Sequence, residues 1–247
     1  MGSACADNKV PATLAGNLMD HSRMTSLMWY HDFLSNYSVS NGVPYVIGET
    51  NSISCQGQAG ISDVFGAALW SIDYVLYVAT LHISRIYFHM GTPYRYSAWQ
   101  PIAINSTLPY VKSLYYGNLF TSTALAGGNK QVALLVNETH LTSYGIYEAC
   151  AEGAKLTGVA VINLNLWNST QPAGQRPYTE VDLPSEFRER GVEVRRLTAP
   201  GAEVTGNITL AGRSLSLEGD FVGYEAIERV VGGKVLVGAS EAVFITI

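Results

Sequence analysis

Cysteine, basic residues and uninterrupted apolar runs are all scarce in this chain. Cys5, Cys55 and Cys150 are its three cysteines in 247 residues. An odd number leaves a free thiol or a partner outside the chain, and their spacing fits no metal site. His-Glu-x-x-His and paired Cys-x-x-Cys patterns are missing, so no metal is expected. No phosphate-binding Gly-x-x-x-x-Gly-Lys occurs, and Gly57-Gln58-Ala59-Gly60 lacks the lysine. A Gly-x-Ser-x-Gly nucleophile elbow is missing too. Lys and Arg number 15 against 20 Asp and Glu, for a net charge of -5. With no basic stripe, nucleic acid is excluded as a partner. The most apolar stretch, Val64 to Ile83, is interrupted by Ser71, Asp73, Thr80 and His82. It reads as a helix packed between a sheet and other helices, not as a membrane span. The first residues, Met1 to Asp7, show neither the basic nor the apolar region of an export signal.

What is present is 47% hydrophobic and includes 15 Tyr and 4 Trp. That is enough for one large or two modest domains. Tyr and Trp stack one face on a sugar while their edge stays polar, though β-rich cores use them as well. Asn-x-Ser/Thr acceptors stand at Asn36, Asn105, Asn137, Asn168 and Asn207. With so few lysines they lean towards the secretory route. A secreted composition without an export signal leads us to expect a longer N-terminal portion ahead of Met1.

Along the chain, Leu14 to Leu34 reads as helix. Val43 to Ile47 reads as a buried parallel strand, and Ser62 and Asp63 open a helix running to about Leu81. Ser84 to Met90 reads as a second strand, followed by an aromatic loop to Pro101 and a helix over Leu108 to Ala124. After Gly128 the texture changes to short β-rich runs, at Gln131 to Val136, Gly158 to Leu166, Val192 to Leu197, Ile208 to Leu217 and Ala242 to Ile247. Turns rich in Gly, Pro and Asn separate them, which is the pattern of an antiparallel β-sandwich. The expected fold class is therefore α/β plus all-β, divided into residues 1–127 and 128–247. A (β/α)8 barrel takes eight strand–helix units in typically ~250 residues. Only the last two units of such a barrel fit here, and their sheet would have open edges.

Glu49 is the candidate catalytic residue. It follows an apolar strand and Gly48, and a carboxylate at the C-terminal end of a barrel strand faces the active-site mouth. The default role of such a group in sugar chemistry is nucleophile of a retaining glycosidase. On position alone, a solvated strand-end glutamate is the commoner reading.

The surrounding residues carry a resemblance. Gly48-Glu49-Thr50-Asn51-Ser52, then Ile61 to Trp70, look like glycoside hydrolase family 79, which includes β-glucuronidases and heparanase. Phe88-His89-Met90-Gly91-Thr92, Tyr94-Arg95-Tyr96 and Trp99-Gln100-Pro101 are similar to the loop after the last barrel strand in fungal members. Pro109-Tyr110 and Leu114 to Asn118 resemble the final barrel helix, and the remainder resembles the C-terminal β domain. The resemblance implies a retaining, cofactor-free hydrolase acting on β-glucuronide or other glycan substrate. It makes Glu49 the nucleophile. Tyr96 is expected to bond a substrate carboxylate or to pack, and His89 to line the sugar site or to be a hydrogen-bonded core histidine. Asn51 either orients Glu49 or caps the loop. Some relatives contact the uronate from positions that here hold Ser54, in place of tyrosine, and Gln56, in place of glycine. The family's acid/base is a Glu preceded by Asn, well before the nucleophile, and no position upstream of Glu49 matches it. Asn137-Glu138 follows the nucleophile and belongs to a glycosylation acceptor, so it reads as a decoy. A chain carrying Glu49 without its partner is expected to be inactive alone and to need a missing N-terminal barrel portion. A non-catalytic glycan-binding or structural module is the alternative.

Overall fold

The computed structural model describes residues 12–151, 153–189 and 191–247, so Cys5 lies outside the described residues. A π-helical turn at Leu14–Leu18 leads into helices α1 (His21–Ser26) and α2 (Trp29–Ser40). The single helix expected over Leu14 to Leu34 is thus broken. Asp20 is the reason, because its side chain caps α1 by accepting from the Arg23 N–H at 2.8 Å. At the other end of α2, Gly42 takes φ 74°. The Gly42 and Val43 N–H groups return to the carbonyls of Val39 and Ser38, which closes the helix as a Schellman turn.

Strand β1 (Tyr45–Thr50), helix α3 (Phe65–Thr80) and strand β2 (Ile83–Phe88) follow, with β1 and β2 parallel. A helix crossing between parallel strands is the βαβ unit. The expected helix from Ser62 begins three residues later, at Phe65. Asp63 and Ser62 serve the preceding loop instead, accepting from the N–H groups of Gly60 and Gln58. α3 is buried almost all round, including Ala67, Leu69, Ile72 and Leu76. A helix apolar on every face belongs between two layers. Among the described residues no helix is long and apolar enough to cross a membrane.

Two short strands, β3 (Trp99–Gln100) and β4 (Tyr110–Val111), pair before α4 (Ser113–Ala124). That pairing removes Leu108 to Lys112 from the helix the sequence suggested. The β-rich part then runs β5 (Lys130–Glu138), β6 (Leu141–Cys150), β7 (Gly153–Asn163), β8 (Tyr178–Asp182), a short α5 (Ser185–Arg188), β9 (Val192–Thr198), β10 (Thr209–Leu210), β11 (Ser214–Leu215), β12 (Phe221–Val222), β13 (Glu228–Val230), β14 (Lys234–Gly238) and β15 (Glu241–Thr246). A seven-stranded antiparallel sheet has the order β10-β9-β15-β7-β6-β5, with β13 beside β9. The continuous run expected from Ile208 to Leu217 is only the two short strands β10 and β11, split by a turn with left-handed Ala211 and Gly212.

Both faces of the large sheet are buried, and the period of two sorts its residues. Tyr144, Ile146, Ala160, Ile162, Ala242 and Phe244 join the core shared with α3 and α4. Val159, Val161, Val194, Val243 and Ile245 join a second core with Val181 of β8, Phe187 of α5 and Val235 and Val237 of β14. The whole is a mixed α/β structure with a sheet-rich C-terminal part.

Candidate functional site

The end of β1 is shaped by a bulge. Ile47 pairs with Ile86 and Thr50 with Phe88, so three steps on β1 oppose two on β2. The extra residue puts Ile47 and Thr50 on the same buried side and turns Glu49 out to solvent. Below it, the Thr50 hydroxyl meets the Tyr74 hydroxyl at 3.0 Å. Tyr74 stacks on Trp70, and both rings meet Phe88 edge-on. No ion pair among the described residues involves Glu49. Its carboxylate is not occupied by a structural salt bridge.

Asn51 is buried, and its amide donates to the carbonyls of His89 at 2.9 Å and Tyr96 at 3.3 Å. Its oxygen accepts from the Ser52 N–H at 2.8 Å. The side chain therefore ties the ends of β1 and β2 to the loop that follows β2. A second tie joins the His89 N–H to the Thr50 carbonyl at 3.0 Å.

His89 Nδ1 and the Tyr96 hydroxyl are 2.7 Å apart. Their rings and that of Tyr94 form a triangle with centroid separations of 5.6–5.9 Å. Burial, then the neighbouring Tyr94, then the negative charge of Glu49 push the Tyr96 phenol above the ordinary tyrosine value. A hydrogen bond with the Gln56 backbone opposes part of that shift. Glu49 thus acts electrostatically on Tyr96, while Asn51, His89 and Tyr96 are joined by direct hydrogen bonds.

Three supports were poorly legible in the sequence. Lys112 is buried and donates to the Tyr94 carbonyl at 2.7 Å, with its ammonium over the Tyr110 ring. Burial pulls its pKa below the ordinary lysine value, and the Asp63 carboxylate partly restores it. The β1 bulge has no local signature. The turn at Cys55, Gln56 and Gly57, with φ of 60°, 69° and 84°, was announced only by its glycine. Cys55 is disulfide-bonded, and Cys150 is free and exposed.

The remaining singled-out residues lie away from this cluster in the topology. Asn137 and Glu138 end β5, exposed, at the hairpin into β6. Asn36, Asn105 and Asn207 are exposed, whereas Asn168 is half-buried. Asn36 donates to Asp32 within α2. Among the described residues no group of three or more His, Cys, Asp or Glu side chains converges on a metal position. Chemically, the site offers a solvent-facing carboxylate beside a phenol–imidazole pair, in a rim made of two strand ends and two loops.

Residues 143–244 match the family model described as the glycosyl hydrolase family 79 C-terminal beta domain. A β-glucuronidase of Neurospora crassa is 33% identical over 241 residues, covering 84% of this chain and 43% of the relative. One of Aspergillus niger is 34% identical over 220 residues, covering 83% of this chain and 40% of the relative. This chain thus spans less than half the length of the curated relatives it matches. Among solved structures, a 4-O-α-L-rhamnosyl-β-D-glucuronidase of Fusarium oxysporum in complex with Rha-GlcA superimposes with a TM-score of 0.79 at 30% identity. The match covers 96% of this chain and 50% of that one. A GH51 α-L-arabinofuranosidase of Thermotoga petrophila, 10% identical with a TM-score of 0.59, shares the fold alone.

Proposed function

Because this chain carries the C-terminal β domain of glycosyl hydrolase family 79, we propose that it is the C-terminal part of a secreted, retaining β-glucuronidase-like hydrolase with Glu49 as its nucleophile. The observation that carries the reading is the bulge that presents Glu49 beside the Tyr96–His89 pair. In this reading β1 and β2 are the last two strands of an eightfold barrel in residues 1–127. Residues 128–247 are its β-sandwich domain. The five Asn-x-Ser/Thr sites are glycan acceptors. Glu49 attacks the anomeric carbon of a β-linked uronide, and Tyr96, held by His89, faces the uronate carboxylate. Asn51 contributes by fixing the loops around the sugar.

Retention requires a second carboxyl group about 5–5.5 Å from the nucleophile, to protonate the leaving oxygen and then activate water. No Asn-Glu pair precedes Glu49 in this sequence. The chain alone therefore lacks its acid/base, a loss that costs roughly 10²–10⁴-fold in rate. An N-terminal barrel portion would supply it. The relatives' greater length and the exposed rings of Trp29, Phe33 and Tyr37 along α2 both support this. The test is hydrolysis of a chromogenic β-glucuronide by the isolated chain. Background rates are expected, and turnover abolished by Glu49→Gln would overturn the claim of inactivity.

A non-catalytic glycan-binding module is the second reading, favoured by the ring triangle of His89, Tyr94 and Tyr96. Saturable uronide affinity that survives Glu49→Gln but is lost in Tyr96→Phe would select it.

A further inference from the structure

The Tyr96 hydroxyl has one proton to give, and its surroundings decide where that proton points. The residue is buried, and its oxygen lies 2.7 Å from His89 Nδ1. The backbone holds this contact in place. A single Asn51 amide nitrogen donates to the carbonyls of both His89 and Tyr96 and so closes the loop between them. Inside that loop the Tyr94 ring packs on Gly91, where a Cβ would clash with it. Ser97 Oγ donates to the Gly91 carbonyl at 2.7 Å. Two side chains fixed this closely share one hydrogen bond, and its direction sets what Tyr96 offers a ligand. Either His89 takes the phenol proton, or it donates its own Nδ1 proton to the phenol oxygen.

Two further groups select the direction. The first is the Gln56 backbone, whose hydrogen bond pulls the Tyr96 phenol down. That is the effect of an N–H donating to the oxygen, because a carbonyl taking the phenol proton would push it up. The Gln56 carbonyl is already engaged by the Arg95 N–H at 2.7 Å. The second group is Glu49, whose negative charge acts on the Tyr96 hydroxyl. With the phenol proton turned to His89, oxygen lone pairs are left facing that negative charge. With the proton turned outwards, the lone pairs are met by the Gln56 N–H and by an Nδ1 proton. Only this second arrangement satisfies the oxygen and leaves its proton on the side of the negative charge.

We infer that His89 is a specificity-determining residue, donating from Nδ1 to the Tyr96 oxygen so that the Tyr96 proton stays free for an anionic group on the exocyclic carbon of the sugar. The inference rests on the glucuronidase reading for its ligand and deepens it. A carboxylate only accepts hydrogen bonds, so it needs the outward proton. The hydroxyl of a neutral hexose donates as well as accepts, so it fits either direction and gains less, because a charge-assisted bond is roughly twice as strong as a neutral one. The Nδ1 proton is present both in the imidazolium and in one of the two neutral tautomers. What the site requires of His89 is that proton, whichever of these forms carries it.

Long-range proton–nitrogen NMR of the full chain reads the proton directly, with the His89 signals assigned by their loss in His89→Asn. His89 Nδ1 is expected to carry a proton in the free chain. Methyl β-D-glucuronide should then shift the His89 signals saturably. Methyl β-D-glucoside, neutral at the same carbon, should bind about tenfold more weakly, the worth of one charge-assisted hydrogen bond. In Tyr96→Phe the two sugars should come within about twofold of each other, because the proton that separates them is gone. A bare Nδ1 in the free chain would overturn the inference and leave the glucuronidase reading standing if the uronide still binds. Equal affinity of the parent for the two sugars would sink it as well. Binding of neither sugar would remove the ligand of the glucuronidase reading, and the inference would fall with it.

Discussion

Asp73 shows how a single side chain joins the two kinds of structure in this protein. It sits mid-helix in α3, 1% exposed, where an unpaired carboxylate is prohibitively costly. His21 of α1 meets it at 2.8 Å, Thr142 of β6 donates at 3.0 Å, and the Tyr144 hydroxyl donates at 2.6 Å. A charged residue in the middle of an apolar helix calls for a structural partner, and here the partners stand 52, 69 and 71 residues away. Burial first, and then the charge of Asp73, push the Tyr144 hydroxyl well above the ordinary tyrosine value. The raised pKa means that the native state keeps a proton which the unfolded chain gives up near pH ~10. The stabilisation is complete below that pH and is lost as pH rises towards the native value. Urea unfolding should therefore show the midpoint falling over about pH 9–11, the window around the ordinary tyrosine value. Tyr144→Phe should start lower and fall less across that window.

At the scale of elements, the close contact of α3 with α4 rests on Gly117. A Cβ there would lie 2.0 Å from the Ser71 hydroxyl and 2.6 Å from the Ala68 carbonyl oxygen. The Ser71 hydroxyl already donates to that carbonyl at 2.8 Å, so it has little freedom to give way. Gly117→Ala should cost about 1–3 kcal/mol, the usual range for overpacking. Thermal unfolding should show it as a lower midpoint, despite alanine's better helix propensity. Ala124→Gly at the last turn of α4 serves as a comparison that removes volume instead. The starts of α3 and α4 show why element boundaries misled. Ser62 and Asp63 have the chemistry of a helix cap, but loop amides compete for them. Residues Tyr110 and Val111 have strand propensity that the Trp99–Gln100 segment makes use of.

For the molecule as a whole, the notable surface is the outer face of α2. Trp29, Phe33 and Tyr37 recur every four residues there and are 69%, 63% and 67% exposed. Val43 and Val46 extend the exposure to the start of β1. The opposite side of this part is well buried, with α3 at its centre. Replacing Phe33 and Tyr37 together with Ser should reduce binding of an apolar dye and self-association of the isolated chain. The unfolding free energy should change by no more than about 0.5 kcal/mol per site, because these rings have little to lose on unfolding. A large destabilisation would show that the two side chains take part in the core.

Sequence by itself determined the strand before Glu49, the apolar helix after it, the second strand and most of the long β runs. Each of these depends on local periodicity, which any unfolded copy of the chain already contains. The family resemblance was legible for the same reason, being carried by short stretches such as Gly48 to Ser52. Tertiary structure alone decided the rest. The direction of Glu49 follows from a bulge that exists only when β1 is laid beside β2. The anchoring of Tyr96 follows from Lys112, Asn51 and the left-handed turn, which converge from separate parts of the chain. The burial of both faces of the large sheet follows from layers that meet only on folding. These are contacts between elements, and no window of sequence contains both partners.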